Sequence, residues 1–161
     1  MKGNKTKLKP NRDFFVGIVL FDNLDRIYLI KEEDKNKIGK DRWNLPGGSI
    51  DKNEGLIEAA LREAREETGY SCKIISLLGC YLCKKEDRNW IYVVFGAMLD
   101  KKAGRRTDPG VKTGRWFERD EFLHLDSDKI VHPDIQLVYK IAIEREGLSL
   151  ESVKFIDYNI Q

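Results

Sequence analysis

The sequence predicts an α+β fold with a mixed sheet flanked by helices, and three observations carry that expectation. Apolar, partly β-branched runs stand at 14–21, 26–30, 73–82 and 90–99. A single long amphipathic helical pattern interrupts them at 54–68. The strands do not alternate strictly with helices, as a doubly wound sheet would require. The length of 161 residues fits one domain, and 41% apolar residues suffice for one core without a disulfide or metal staple. We read 1–12, where Lys2, Lys5, Lys7 and Lys9 precede Pro10, as a flexible basic tail, and 13–161 as a single domain.

In order along the chain, Phe14–Phe21 and 26–30 bracket the turn chemistry of Asp22-Asn23-Leu24-Asp25 and predict a hairpin. The charged stretch 32–41 reads as a loop. Trp43-Asn44-Leu45-Pro46-Gly47-Gly48 is incompatible with helix. The helix at 54–68 ends on Gly69, suited to the left-handed position after a helix. Strands 73–82 and 90–99 are joined by polar residues 84–89. Residues 101–113 carry Gly104, Pro109 and Gly110 and predict a mobile basic loop. Residues 115–117 suggest a short strand leading into a small helix at 118–124. Pro133 opens a second helix reaching 146. Residues 153–158 alternate in part and suggest an edge strand or a packed tail.

Charge and composition narrow the function. With 29 basic against 27 acidic residues, net charge is +2, which argues against an obligate nucleic-acid binder. No apolar run approaches the roughly 18 residues that span a bilayer, and no apolar segment follows the first lysines as in a secretory signal. Cys72, Cys80 and Cys83 are odd in number and fit free thiols in a reducing cytoplasm. Cys80 and Cys83 form a C-x-x-C, but no second pair follows and His124 and His132 are distant, so strand thiols are expected rather than zinc ligands.

The informative region runs from 48 to 69. Acidic residues fall at Glu54, Glu63, Glu66 and Glu67, with Arg62 before the last three and Gly69 after them. At about 100° per residue, Glu63, Glu66 and Glu67 occupy a wedge about 100° wide on the helix. Ile57, Ala60, Leu61 and Ala64 take the neighbouring, inward face, and Glu58, Arg62 and Arg65 the remaining side. Like charges three and four residues apart cost a helix a few tenths of a kcal/mol per pair, so stability alone does not favour them. Converging hard oxygen donors are what Mg2+ or Mn2+ takes, together with phosphate oxygens. The plain alternative is a solvated helix in which Arg62 and Arg65 pair with the glutamates.

The spacing decides between them. Gly48, five residues, Glu54, seven residues, Arg62-Glu63, Ala64, one residue, Glu66-Glu67, one residue, Gly69, Tyr70 resembles the complete Nudix box. All seven invariant positions are filled, a chance event on the order of one in a million at background frequencies. Two aliphatic slots hold Ala64 and Tyr70, departures that keep an apolar contact.

The resemblance implies an α/β/α sandwich around a mixed sheet, with the box as a loop-helix-loop metal site. It implies Glu63, Glu66 and Glu67 as ligands of Mg2+ or Mn2+, Glu54 as an auxiliary ligand, and a ligand role for the Gly48 carbonyl. It implies that Arg62 fixes the glutamates by ion pairing. The implied reaction is attack of water on phosphorus in the diphosphate of a nucleoside di- or triphosphate or related compound. Glu63, Glu66, or one of Glu86, Asp87, Asp100 and Asp108 in distant segments then serves as base. Arg42, Trp43 and Trp90 are the foremost substrate candidates, with Tyr92, Trp116, Tyr158, Arg105, Arg106 and Lys112 behind them. A small-molecule nucleotide partner, no membrane and a homodimer, frequent in the family, complete the expectation. Two alternatives stay open: a nucleotide-sensing module with little catalysis, which the retained carboxylates disfavour, and an RNA 5′-end pyrophosphohydrolase using 101–112 as a basic channel.

Overall fold

The computed structural model describes residues 14–33, 41–85, 88–102, 104–132, 134–144 and 147–150. The expected basic tail at 1–12, most of the loop at 32–41, and the edge strand at 153–158 lie outside the described residues. Strands β1 (Phe14–Phe21), β2 (Ile27–Glu32), β3 (Trp43–Asn44) and β4 (Gly47–Ser49) precede helix α1 (Leu56–Thr68). Strands β5 (Tyr70–Lys85), β6 (Arg88–Lys102) and β7 (Val111–Phe117) follow, then α2 (Arg119–Leu123), a 3-10 turn at Ser127–Lys129, α3 (Asp134–Ile143) and β8 (Leu148–Ser149).

The sheet is mixed, as expected. Its order is β3-β2-β1-β6-β5-β8, with β4 also on β1 and β7 on β2. β1 runs parallel to β6 over its whole length, and the other pairings are antiparallel. Alternation along β1 sorts the core into two layers. Val16, Ile18 and Leu20 meet Ala59, Ala60 and Ala64 of α1, with Ile57 and Leu61 beside them. Val19 and Phe21 meet the layer of Phe122 from α2 and Ile135, Val138 and Tyr139 from α3. Together these make an α/β/α sandwich, so the helix face read from periodicity is the buried one.

Three features depart from the local reading. The hairpin of β1 and β2 pairs at Phe21 and Ile27, after which the edge of β1 is taken by β4: Phe15, Val16 and Gly17 oppose Ser49, Gly48 and Gly47. Local patterning cannot see this, because the partner lies some 30 residues away. Strands β5 and β6 run well beyond the expected 73–82 and 90–99, because their polar ends sustain the ladder as far as Lys85 and Arg88. The expected mobile loop at 101–113 is strapped to the end of α1. Gly104 N–H donates to the Gly69 carbonyl at 3.2 Å, and the N–H groups of Thr107 and Asp108 donate to that of Glu66 at 2.9 and 3.0 Å. Those carbonyls have no partner within the helix, so the strap satisfies them.

The turn after β1 is organised by Asp22, which is 2% exposed. Its carboxylate accepts from the N–H groups of Leu24 and Arg26, both at 3.0 Å, and from Arg26 Nε at 2.8 Å. Burial opposes the charge, but the Arg26 side chain and these N–H groups hold the carboxyl below its usual range. Asp22→Ala leaves buried donors unpaired and is expected to lower stability by roughly 2 kcal/mol. Urea unfolding checks this, and a change under about 0.5 kcal/mol would contradict it.

Candidate active site

The site is built where α1 meets β4. Gly55 precedes the helix in an extended conformation, and its N–H is taken by the Glu58 carboxylate at 2.9 Å. Upstream, the Asp51 N–H donates to Glu54 Oε2 at 3.0 Å, closing the turn that leads into the helix. Gly69 ends the helix at φ 74°, a left-handed position that favours glycine. Packing of Ala59, Ala60 and Ala64 against the sheet then turns the carboxylate edge toward Gly47 and Gly48.

The three glutamates of that edge form a gradient from interior to solvent. Glu67 is 4% exposed and accepts the Gly47 N–H at 2.7 Å. The Glu63 side chain is 12% exposed and that of Glu66 is 45% exposed. A Cβ built on Gly48 would lie 2.5 Å from the Glu63 carboxylate, so this backbone approaches a carboxylate more closely than any side chain would allow. At Gly47 the corresponding atom would lie 2.1 Å from the Val16 carbonyl.

Arg62, which borders this edge on the helix, pairs with its glutamates as expected. Its Nε and Nη2 hold the two Glu54 oxygens at 2.8 and 2.9 Å. Nη1 reaches Glu63 at 2.8 Å and Glu66 at 3.4 Å, and Nη2 also donates to the Ser49 carbonyl at 3.0 Å. One guanidinium thus ties the approach loop to the helix through a fork–fork pair. As placed, no three His, Cys, Asp or Glu side chains among the described residues stand close enough to hold an ion, and the Arg62 guanidinium lies among Glu54, Glu63 and Glu66.

The electrostatics follow from burial and crowding. Desolvation pushes the Glu67 carboxyl up to about 8, the Gly47 N–H opposes this, and the charges of Glu63, Asp108 and Glu32 add to it. Desolvation also raises Glu63, against the pull of Arg62, with Glu66 and Asp108 as like charges. Glu54 is lowered by its bonds from Arg62. Carboxylates gathered beside the side-chain-free start of β4 are hard oxygen donors with Arg62 as their present countercharge, and hard oxygen donors are the chemistry a divalent cation such as Mg2+ or Mn2+ takes.

The structure sorts the remaining candidates. Of the four distant acids, Asp108 is brought within electrostatic reach of Glu63 and Glu67. Asp100 acts on Cys72 instead, and Glu86 and Asp87 lie outside the described residues. Trp43 packs edge-on against Phe117, ring centroids 4.8 Å apart, under Lys31 and Arg115, on the layer opposite α1. Trp90 stands opposite Cys83 near the tip of the β5–β6 hairpin. Arg42 is exposed. Trp116 packs against Tyr28 and Tyr70, Tyr92 covers Gly17, and Tyr158 lies outside the described residues. Arg106 donates to the Lys112 carbonyl, and the Lys112 ammonium pairs with Asp41 at 2.8 Å. Glu32, at the end of β2, was not a sequence candidate. Its bearing on Glu67 comes from tertiary placement, for which no local signal exists.

A mixed sheet between two helical layers, with this loop-helix-loop of carboxylates at one end, is the architecture of a known class. The model of the NUDIX domain family matches residues 12–137, and the chain belongs to that family. It is similar to the 8-oxo-dGDP phosphatase NUDT18 of Danio rerio, 30% identical over 129 residues, covering 77% of this chain and 38% of that protein. The chain thus spans well under half of that relative. It is also similar to an ADP-ribose pyrophosphatase of Methanocaldococcus jannaschii, 34% identical over 118 residues, with 71% and 68% covered. A solved NUDIX hydrolase of Nitrosomonas europaea superposes with a TM-score of 0.78 at 23% identity, over 94% of this chain and all of that one.

Two measurements test this geometry. Gly47→Ala drives an atom into backbone that cannot move aside and is expected to cost about 2 kcal/mol or more. Gly48→Ala displaces the Glu63 side chain instead, so Mn2+ affinity by calorimetry falls roughly tenfold with a smaller loss of stability. Equal effects from the two would contradict the assignment. Because the folded Glu67 carboxyl lies above its ordinary value of 4.5, its contribution to metal-free stability is present at low pH and is lost as pH rises toward about 8. Thermal midpoints should show that loss, and Glu67→Gln should flatten it.

Proposed function

We propose that the protein is a divalent-metal-dependent pyrophosphohydrolase acting on the diphosphate of a nucleoside di- or triphosphate, or of a nucleoside diphosphate joined to another group. The observation that carries this reading is the carboxylate edge of α1, where Glu67 accepts from Gly47, Glu63 lies against Gly48, and Arg62 links Glu63 to the more exposed Glu66. Two relatives support the substrate class by name, one an 8-oxo-dGDP phosphatase and one an ADP-ribose pyrophosphatase. The three free cysteines on β5 support a reducing, cytoplasmic setting as part of the same reading.

In this reading Glu63, Glu66 and Glu67 hold Mg2+ or Mn2+ with the Gly48 carbonyl, and Glu54 acts through Arg62 and as an auxiliary ligand. When bound, the cation screens phosphate charge and makes water a better nucleophile near neutral pH. Arg62 keeps Glu63 and Glu66 in place while the site fills and empties. Burial of Glu67 and its bond to Gly47 fix the inner wall and limit access of bulk water. Water adds at phosphorus, the anhydride P–O bond breaks, and the water proton passes to a carboxylate. Glu63 and Glu66 are candidates within the box, and Asp108 on the strap is the distant acid whose charge reaches them.

Because Glu66 is the most exposed of the three, Glu66→Gln should leave the thermal midpoint nearly unchanged. With Mg2+ it should reduce kcat by roughly a hundredfold or more on whichever nucleotide the wild type cleaves. A broad nucleotide panel without turnover in either Mg2+ or Mn2+ would sink the reading.

A further inference from the structure

A second feature adjoins Glu66. It is a recess of about 440 Å3 lined by Arg65, Glu66, Gly69, Gly104, Arg105 and Thr107. That volume lies within the range of small-molecule sites. Its charged lining is three arginines against one carboxylate, that of Glu66. Arg62 also borders it, but that guanidinium is committed to Glu54 and Glu63. Arg65 and Arg105 are both exposed, and neither has an ion pair among the described residues.

The recess is also built rather than incidental. Arg105 sits on the strap between Gly104, bonded to the Gly69 carbonyl, and Thr107, bonded to that of Glu66. Gly69 allows this close seat, since a Cβ there would lie 2.9 Å from the Arg106 nitrogen and the Gly104 carbonyl oxygen. Arg65 projects from the same last turn of α1. The C-terminal end of a helix normally repels anions through its free carbonyls. Here those of Glu66 and Gly69 are engaged by strap N–H groups, which blunts that repulsion. Two guanidiniums facing one recess favour a phosphate, which each can grip with two N–H groups.

We propose that Arg65 and Arg105 form a subsite for a phosphate beyond the two that flank the cleaved bond, so that the chain selects nucleoside triphosphates over diphosphates. The assignment rests on the hydrolase reading for its orientation, because Glu66 faces both the recess and the proposed metal site.

Two assays on the full chain test it. In calorimetry with Mg2+, inorganic tripolyphosphate should bind at least about tenfold more tightly than pyrophosphate, and the double variant R65Q/R105Q should erase the difference. In steady-state kinetics the same variant should raise KM for a nucleoside triphosphate, lowering kcat/KM at least about tenfold more than for the matching diphosphate. Equal affinity of the wild type for the two inorganic anions, or parallel losses on both nucleotides, would overturn the subsite. A protein that discriminates the inorganic anions yet cleaves no nucleotide would keep the subsite and refute the hydrolase reading.

Discussion

The hydrogen bond from Gly47 to Glu67 is the interaction on which the rest depends. It joins a buried carboxylate on α1 to the turn that enters β4, and β4 in turn occupies the edge of β1. A carboxylate nearly sealed from water, with Glu63 and Asp108 adding like charge, is a costly thing to fold around. The fold tolerates it through one backbone donor and a raised proton affinity. In the proposed reading a cation takes the place of that proton.

Arg62 handles the other half of the same problem. Its fork pairs with Glu54, a residue outside the helix, and its remaining nitrogen meets Glu63. Repulsion along one edge of α1 is thereby offset. The strap at 104–110 completes the frame: its N–H groups close the carbonyl end of α1 and bring Asp108 into the field of Glu63 and Glu67. The charged groups gathered here come from three segments, but one helix sets their positions.

Much of this is legible in the sequence. The period of Ile57, Ala60, Leu61 and Ala64 gave the buried face of α1, and Gly69 gave its end, because both are local signals of a regular helix. The carboxylates followed from spacing alone. What stayed hidden depends on contacts between distant segments. The handover of the β1 edge from β2 to β4 is one, and the docking of 104–110 onto α1 is another. Trp43, attractive as a stacking surface, instead packs on Phe117, since an aromatic side chain beside a glycine-rich turn carries no mark of which layer it will enter. The pairing of Arg62 with the glutamates was legible too, since Glu66 lies four residues on and therefore beside it on the helix.

Proton counting during metal uptake is the sharpest check on the role of Glu67. Mn2+ titrated into the protein near pH 7, by calorimetry in buffers of different ionisation enthalpy, reports both affinity and protons released. Binding should come with net proton release, reflecting ionisation of the Glu67 carboxyl, and that release should be lost in Glu67→Gln. A folded protein that takes up neither Mn2+ nor Mg2+, or binds without releasing protons, would contradict that role.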